Sequence, residues 1–249
     1  MTEIIKADFQ SSKPWPESEK PFQLLRILSG YADVGLSPAR FGASESRTFA
    51  LDSLGESAIL EIWRKVGGGI MKAPKPWSFI VQIFYIKTTW ARAISSLWLY
   101  LDEDFFLEKD RTLRFLELCK DIYAWGRMDH GLVAHEMEYK IKNELGAGAG
   151  VGGPNLTVSL PGVYWANFFG PVYVEWFGRQ KFENLNALKK EPLEDGGWFI
   201  LTRESPLQHD NRAARQAEER IIKDLGQSAF FEKRNPNKKT ETPDLFRGR

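Results

Sequence analysis

Ser78-Phe-Ile-Val-Gln-Ile-Phe-Tyr-Ile86 is an uncharged run dense in β-branched and aromatic residues. It is strand-sized, about half the ~18 apolar residues that a membrane helix needs, and it predicts a buried strand. Pro74 and Pro76 stand before it, where they end any preceding element. Ala93 to Tyr100 predicts a second strand, paired antiparallel with the first across residues 87–92. No other stretch is longer and apolar, so the chain is expected in a reducing aqueous compartment, the cytoplasm. A single cysteine, Cys119, agrees, because no intramolecular disulfide can form.

Helical spacing appears in Phe22–Gly30 and in Leu54–Val66, the latter stopped by Gly67-Gly68-Gly69. A third helix is predicted from Asp110 to near Gly126, with Leu113, Leu116, Ile122 and Tyr123 on one face and Cys119 beside them. From Leu132 to Ile141 apolar and polar residues alternate, which predicts a half-buried strand. Trp198–Thr202 predicts a short strand, Asp210 or Asn211 a cap for a helix to Leu225 closed by Gly226, and Phe230-Phe231 a last strand. Strands grouped between single helices give an α+β fold, a mainly antiparallel sheet with helices packed on one face. The predicted layout is an irregular lead-in over 1–20 and a single domain over 21–231. A flexible Gly-rich connection at 146–155 interrupts that domain, and a basic, Pro-containing, loosely attached tail occupies 232–249.

Apolar residues are 43% of the 249 and nine are Trp, enough for a substantial core. With 34 basic and 33 acidic residues there is no overall field to draw nucleic acid or a membrane surface. Charge is uneven locally. The tail carries six basic and three acidic residues, and 101–139 carries ten acidic and five basic. Asp102, Glu103, Asp104, Glu108, Asp129, Glu136 and Glu138 belong to that acidic stretch. Such a surface repels nucleic acid and steers a basic partner, although an ordinary solvated helix face has the same charges.

Gly148-x-Gly150-x-x-Gly153 has dinucleotide-fingerprint spacing, but Pro154-Asn155 follows it where a helix N-terminus is required, so a linker is the expectation. His130 and His135 lie near Asp129, Glu136 and Glu138, yet position 139 is Tyr and no third ligand is spaced for zinc. His209 sits in a polar loop without ligand-like spacing. Cys119 falls on a helix near its apolar face, where an inert thiol is the default. No catalytic residue, metal or cofactor is assigned.

Tyr164 to Phe177 is the most aromatic segment, with Glu175 its only charge, which favours core packing over base stacking. Leu160-Pro-Gly-Val-Tyr-Trp-Ala-Asn-Phe-Phe-Gly-Pro-Val-Tyr-Val-Glu-Trp-Phe-Gly-Arg-Gln-Lys-Phe182 resembles the bacterial immunity protein 52 family and, less closely, type VI secretion immunity proteins. The motif positions are Trp165, Asn167, Phe169, Gly170, Pro171, Gly178 and Arg179. Gly196–Leu201, Arg212–Gly226 and Thr242–Phe246 fit the elements that follow in that family. The resemblance is sharp over the last third of the chain, architectural over 78–145, and absent from 1–70. It implies a cytoplasmic antitoxin, a monomer or homodimer, that binds and blocks a cognate toxin or effector protein, often a nuclease. Neither nucleic acid nor membrane is a direct partner, and there are no catalytic residues to carry over. Two other readings stay open: a small hydrolase using dispersed carboxylates with His130 or His135, and a structural component of a phage or secretion particle.

Overall fold

The computed structural model describes residues 3–15, 19–86, 94–143, 155–232, 235 and 238–245. The chain forms two compact units, Met1–Met128 and Asp129–Arg249, where the sequence predicts a single domain. Nothing in the composition marks this boundary. It falls at the end of a helix, where Arg127 takes a left-handed conformation (φ 47°) in place of the expected glycine. The Gly-rich connection lies outside the described residues, Asn155 apart.

The first unit runs β1 (Ile4–Ser11), α1 (Lys20–Ser29), β2 (Arg40–Ser44), β3 (Arg47–Ala50), α2 (Glu56–Val66), β4 (Gly69–Lys72), β5 (Ile80–Ile86), β6 (Ile94–Asp102) and α3 (Lys109–Gly126). Its strands pair antiparallel in the order β3-β2-β4-β5-β6-β1. The predicted β5–β6 pair forms, from Ile80 opposite Tyr100 to Ile86 opposite Ile94. Helices α1 and α3 pack on each other, α3 on β1, and α2 on β2 and β4.

The expected irregular lead-in is instead a strand. In β1 the apolar set Ile5, Ala7 and Phe9 is fully buried, and it alternates with Lys6, Asp8 and Gln10. The charges hide the pattern in the sequence. In the fold they are neutralised locally: Lys6 pairs with Asp8 at 3.5 Å, and its ammonium lies 4.3 Å over the Trp98 ring. Trp15, between its two prolines, is buried and donates from Nε1 to the Gly126 carbonyl at 3.0 Å, tying the start of the chain to the end of α3. β4 was also missed, because it begins directly after the glycine stop. Gly67 (φ 67°) caps α2, and at Gly68 a Cβ would lie 2.3 Å from the Ile83 carbonyl oxygen, so only glycine lets β4 approach β5 there.

The second unit runs β7 (His130–His135), α4 (Glu136–Asn143), β8 (Ala166–Phe169), α5 (Pro171–Phe177), α6 (Arg179–Asn184), β9 (Lys189–Pro192), β10 (Trp198–Leu201) and α7 (Arg212–Leu225). Its strands pair antiparallel in the order β7-β8-β10-β9. The strand expected over Leu132–Ile141 therefore stops at His135. From Glu136 onward the same residues also fit a helix, through the i,i+4 ion pairs Glu136–Lys140 (3.0 Å) and Glu138–Lys142 (2.7 Å). Asn211 caps α7, accepting from Ala213 N–H at 2.9 Å. In place of a last strand, Phe230 makes an isolated parallel bridge to Leu160.

The tail is fastened where it is described. Thr240 and Thr242 donate their hydroxyls to the Val158 and Thr157 carbonyls, Glu241 N–H bonds Ser228 O at 3.0 Å, and Leu245 is buried. A threonine-carbonyl ladder and one apolar anchor outweigh the basic composition that suggested a loose end. Both units are α+β, with mainly antiparallel strands and helices on one face. Among the described residues no helix is long and apolar enough to cross a membrane.

Candidate functional site

The seven acidic residues singled out in the sequence do not share one surface. Asp102, Glu103, Asp104 and Glu108 lie at the β6–α3 corner of the first unit, whereas Asp129, Glu136 and Glu138 belong to the second. At the corner a single 3-10 turn, Glu103–Leu107, reverses the chain. Phe105 and Phe106 point into the core, and Leu107 is left 70% exposed. Asp102 accepts from Ser78 N–H at 2.9 Å. Arg111 locks the turn by donating to the Phe105 carbonyl at 3.0 Å, pairing with Glu108 at 2.9 Å and stacking 4.7 Å over Trp77. Asp104 and Glu108 face solvent on this fixed frame.

Glu136 pairs with Lys140 on the surface of α4. The Asp129 carbonyl accepts from Gly170 N–H at 2.8 Å. Glu138 is only 4% exposed and is no surface contact, which corrects its place among the partner-binding residues. The helix that replaced the predicted strand turns it inward.

Glu138 belongs to a buried ionic quartet. Arg203 bridges Glu138 (2.6 Å) and Glu218, and Lys142 bridges the same two carboxylates at 2.7 Å each. Lys142 also donates to the Val163 carbonyl at 2.7 Å. Each charge thus meets two opposite ones, the condition under which buried ions are tolerated. The carboxylates titrate as a pair: burial pushes Glu218 up to about 7, while Glu138, equally desolvated, is held below its usual value by Lys142 and Arg203. The quartet joins α4, α7 and the chain leaving β10. Its members are scattered through the sequence, so no spacing reveals it.

The two histidines considered for chemistry part company. His130 is buried edge-on against Phe169 (5.7 Å) and Tyr173 (6.0 Å), and burial depresses it to about 3. His135, at the other end of β7, stacks on His209, which the sequence had set aside. Cys119 is fully buried on α3, and burial raises its thiol well above the ordinary range.

The aromatic motif is structural. Trp165 Nε1 donates to the Arg203 carbonyl at 2.9 Å. Buried Asn167 closes a loop on Tyr164, accepting from its N–H at 2.9 Å and donating to its carbonyl at 2.8 Å. Phe169 is buried in β8, and Gly170 and Pro171 start α5. Gly178, at φ 93°, turns the chain into α6, which Arg179 begins with its side chain exposed.

No family model and no curated protein matches the chain. Among solved structures, the Pseudomonas aeruginosa T6SS protein PA0821 is similar, with a TM-score of 0.52 and 13% identity over 94% of this chain and 84% of that one. At that identity the likeness is one of fold. The resemblance to the immunity protein 52 family rests on the aromatic segment alone.

Proposed function

We propose that this chain is an immunity protein of a type VI secretion setting, which neutralises a cognate toxin by forming a stoichiometric complex. The fold shared with a T6SS protein and the aromatic segment support this reading. One observation carries it to a surface: the rigid corner where Leu107, 70% exposed, stands among Glu103, Asp104 and Glu108. An apolar anchor with a charged rim is how tight interfaces are built, and the acidic rim selects a basic face such as a nuclease presents.

The test is co-expression with the toxic protein encoded beside this gene, followed by association kinetics of the Asp104→Lys, Glu108→Lys double variant. Both side chains are exposed, so folding should survive. Association is expected to slow about tenfold at low salt and to converge with the parent at high salt. An on-rate that does not change at low salt removes this corner from the interface. A neighbour that is harmless, or does not bind, removes the immunity reading.

A further inference from the structure

His135 ends β7, and His209 follows the 3-10 turn Pro206–Gln208, so topology rather than sequence spacing makes them neighbours. Their rings stack with centroids 3.9 Å apart and planes 15° from parallel. His135 is fixed: it is 1% exposed, and its Nδ1 accepts the Met137 N–H at 3.2 Å. That bond occupies Nδ1 and leaves Nε2 as the ligand atom. His209 is only part-buried and sits on a loop, so it has room to adjust. Each ring offers a nitrogen within 4.8 Å of the other's.

The surroundings favour a cation as far as charge goes. Burial, and then the neighbouring His135, hold His209 below its ordinary value, which keeps it in the neutral form that a metal requires. The adjacent quartet has two carboxylates and two cations, so above about pH 7 it presents no net charge, and Asp210 follows His209 in the chain.

We propose that His135 and His209 form a binding site for a first-row divalent metal of the zinc class, with solvent completing the coordination. Imidazole pairs suit zinc, nickel and copper rather than magnesium or calcium. Zinc–nitrogen bonds of about 2.1 Å place two ligand nitrogens about 3.4 Å apart, so the His209 ring has to close by roughly 1 Å. The sequence pointed away from metal because it offered only His130 and His135 as a pair, and these lie at opposite ends of one strand.

The experiment is calorimetric titration of the full chain with zinc chloride at pH 8, with magnesium chloride as the control. One zinc per chain is expected, with no heat from magnesium, and His209→Ala should weaken zinc binding by about tenfold or more while leaving the circular dichroism spectrum intact. Should that variant lose its fold, His209→Gln gives the same readout with a side chain of similar size. No binding at millimolar zinc, or binding that either folded variant leaves unchanged, overturns the site and makes the stacked pair simple packing.

Discussion

Protonation of His130 is the event in the second unit whose energetic consequence is easiest to compute. Its ring is 2% exposed between Phe169 and Tyr173, and burial lowers it from 6.5 to about 3. Between those values the unfolded chain binds a proton that the folded chain refuses. The stabilisation is therefore complete above about pH 6.5 and is lost as the pH falls toward 3, at roughly 1.4 kcal/mol per unit. Between pH 6.5 and 4.5 this single side chain should cost about 3 kcal/mol. His130→Phe keeps an aromatic ring against both neighbours and removes the titration. Its Nε2 has no hydrogen-bond partner among the described residues, so a carbon ring strands nothing there. Urea unfolding of both proteins at pH 7.5 and 4.5 gives two stability differences, and the gap should widen in favour of the variant by about 3 kcal/mol at the lower pH. His209, also depressed, is common to both proteins and cancels in the comparison. Parallel pH profiles would refute the argument, showing that the ring can take its proton without leaving the core.

Two shorter expectations follow from other buried groups. Arg203→Met leaves Glu138 and Glu218 facing each other with Lys142 alone, and urea unfolding at pH 8 should show a loss of about 3–5 kcal/mol; a loss under about 1 kcal/mol would mean that water reaches the pair. Cys119 should resist an aromatic disulfide reagent in the native protein and react once the chain is unfolded in urea, whereas rapid native labelling would contradict its burial.

Much of the fold could be read from periodicity. β5, β6, α1, α2, α3, β10 and α7 each carry an uninterrupted apolar pattern or a cap, and they fall close to their expected bounds. The failures share a cause: the deciding information was not local. Lys6 and Asp8 disguise β1 until Trp98 and their mutual pairing are seen. At Glu136 the alternation that suits a strand also suits a helix, and the buried partners of Glu138 and Lys142 decide between them. Arg127 breaks the chain into two units with none of the composition of a linker. The acidic corner at Asp102–Glu108 was legible as charge. Its exposed Leu107 and its Arg111 lock were not, and neither was the His135–His209 contact.

The β9 margin of the second sheet has a consequence for life at high concentration. A sheet border is normally an invitation to another chain, since its unpaired amides can template a further strand. This border is four residues long, opens with Lys189 and Lys190, and ends on Pro192, which has no amide hydrogen to give. Copies brought together there meet like charges first and then a missing donor. The margin thus works as a guard against runaway stacking, leaving selective recognition to the surfaces that lie away from it.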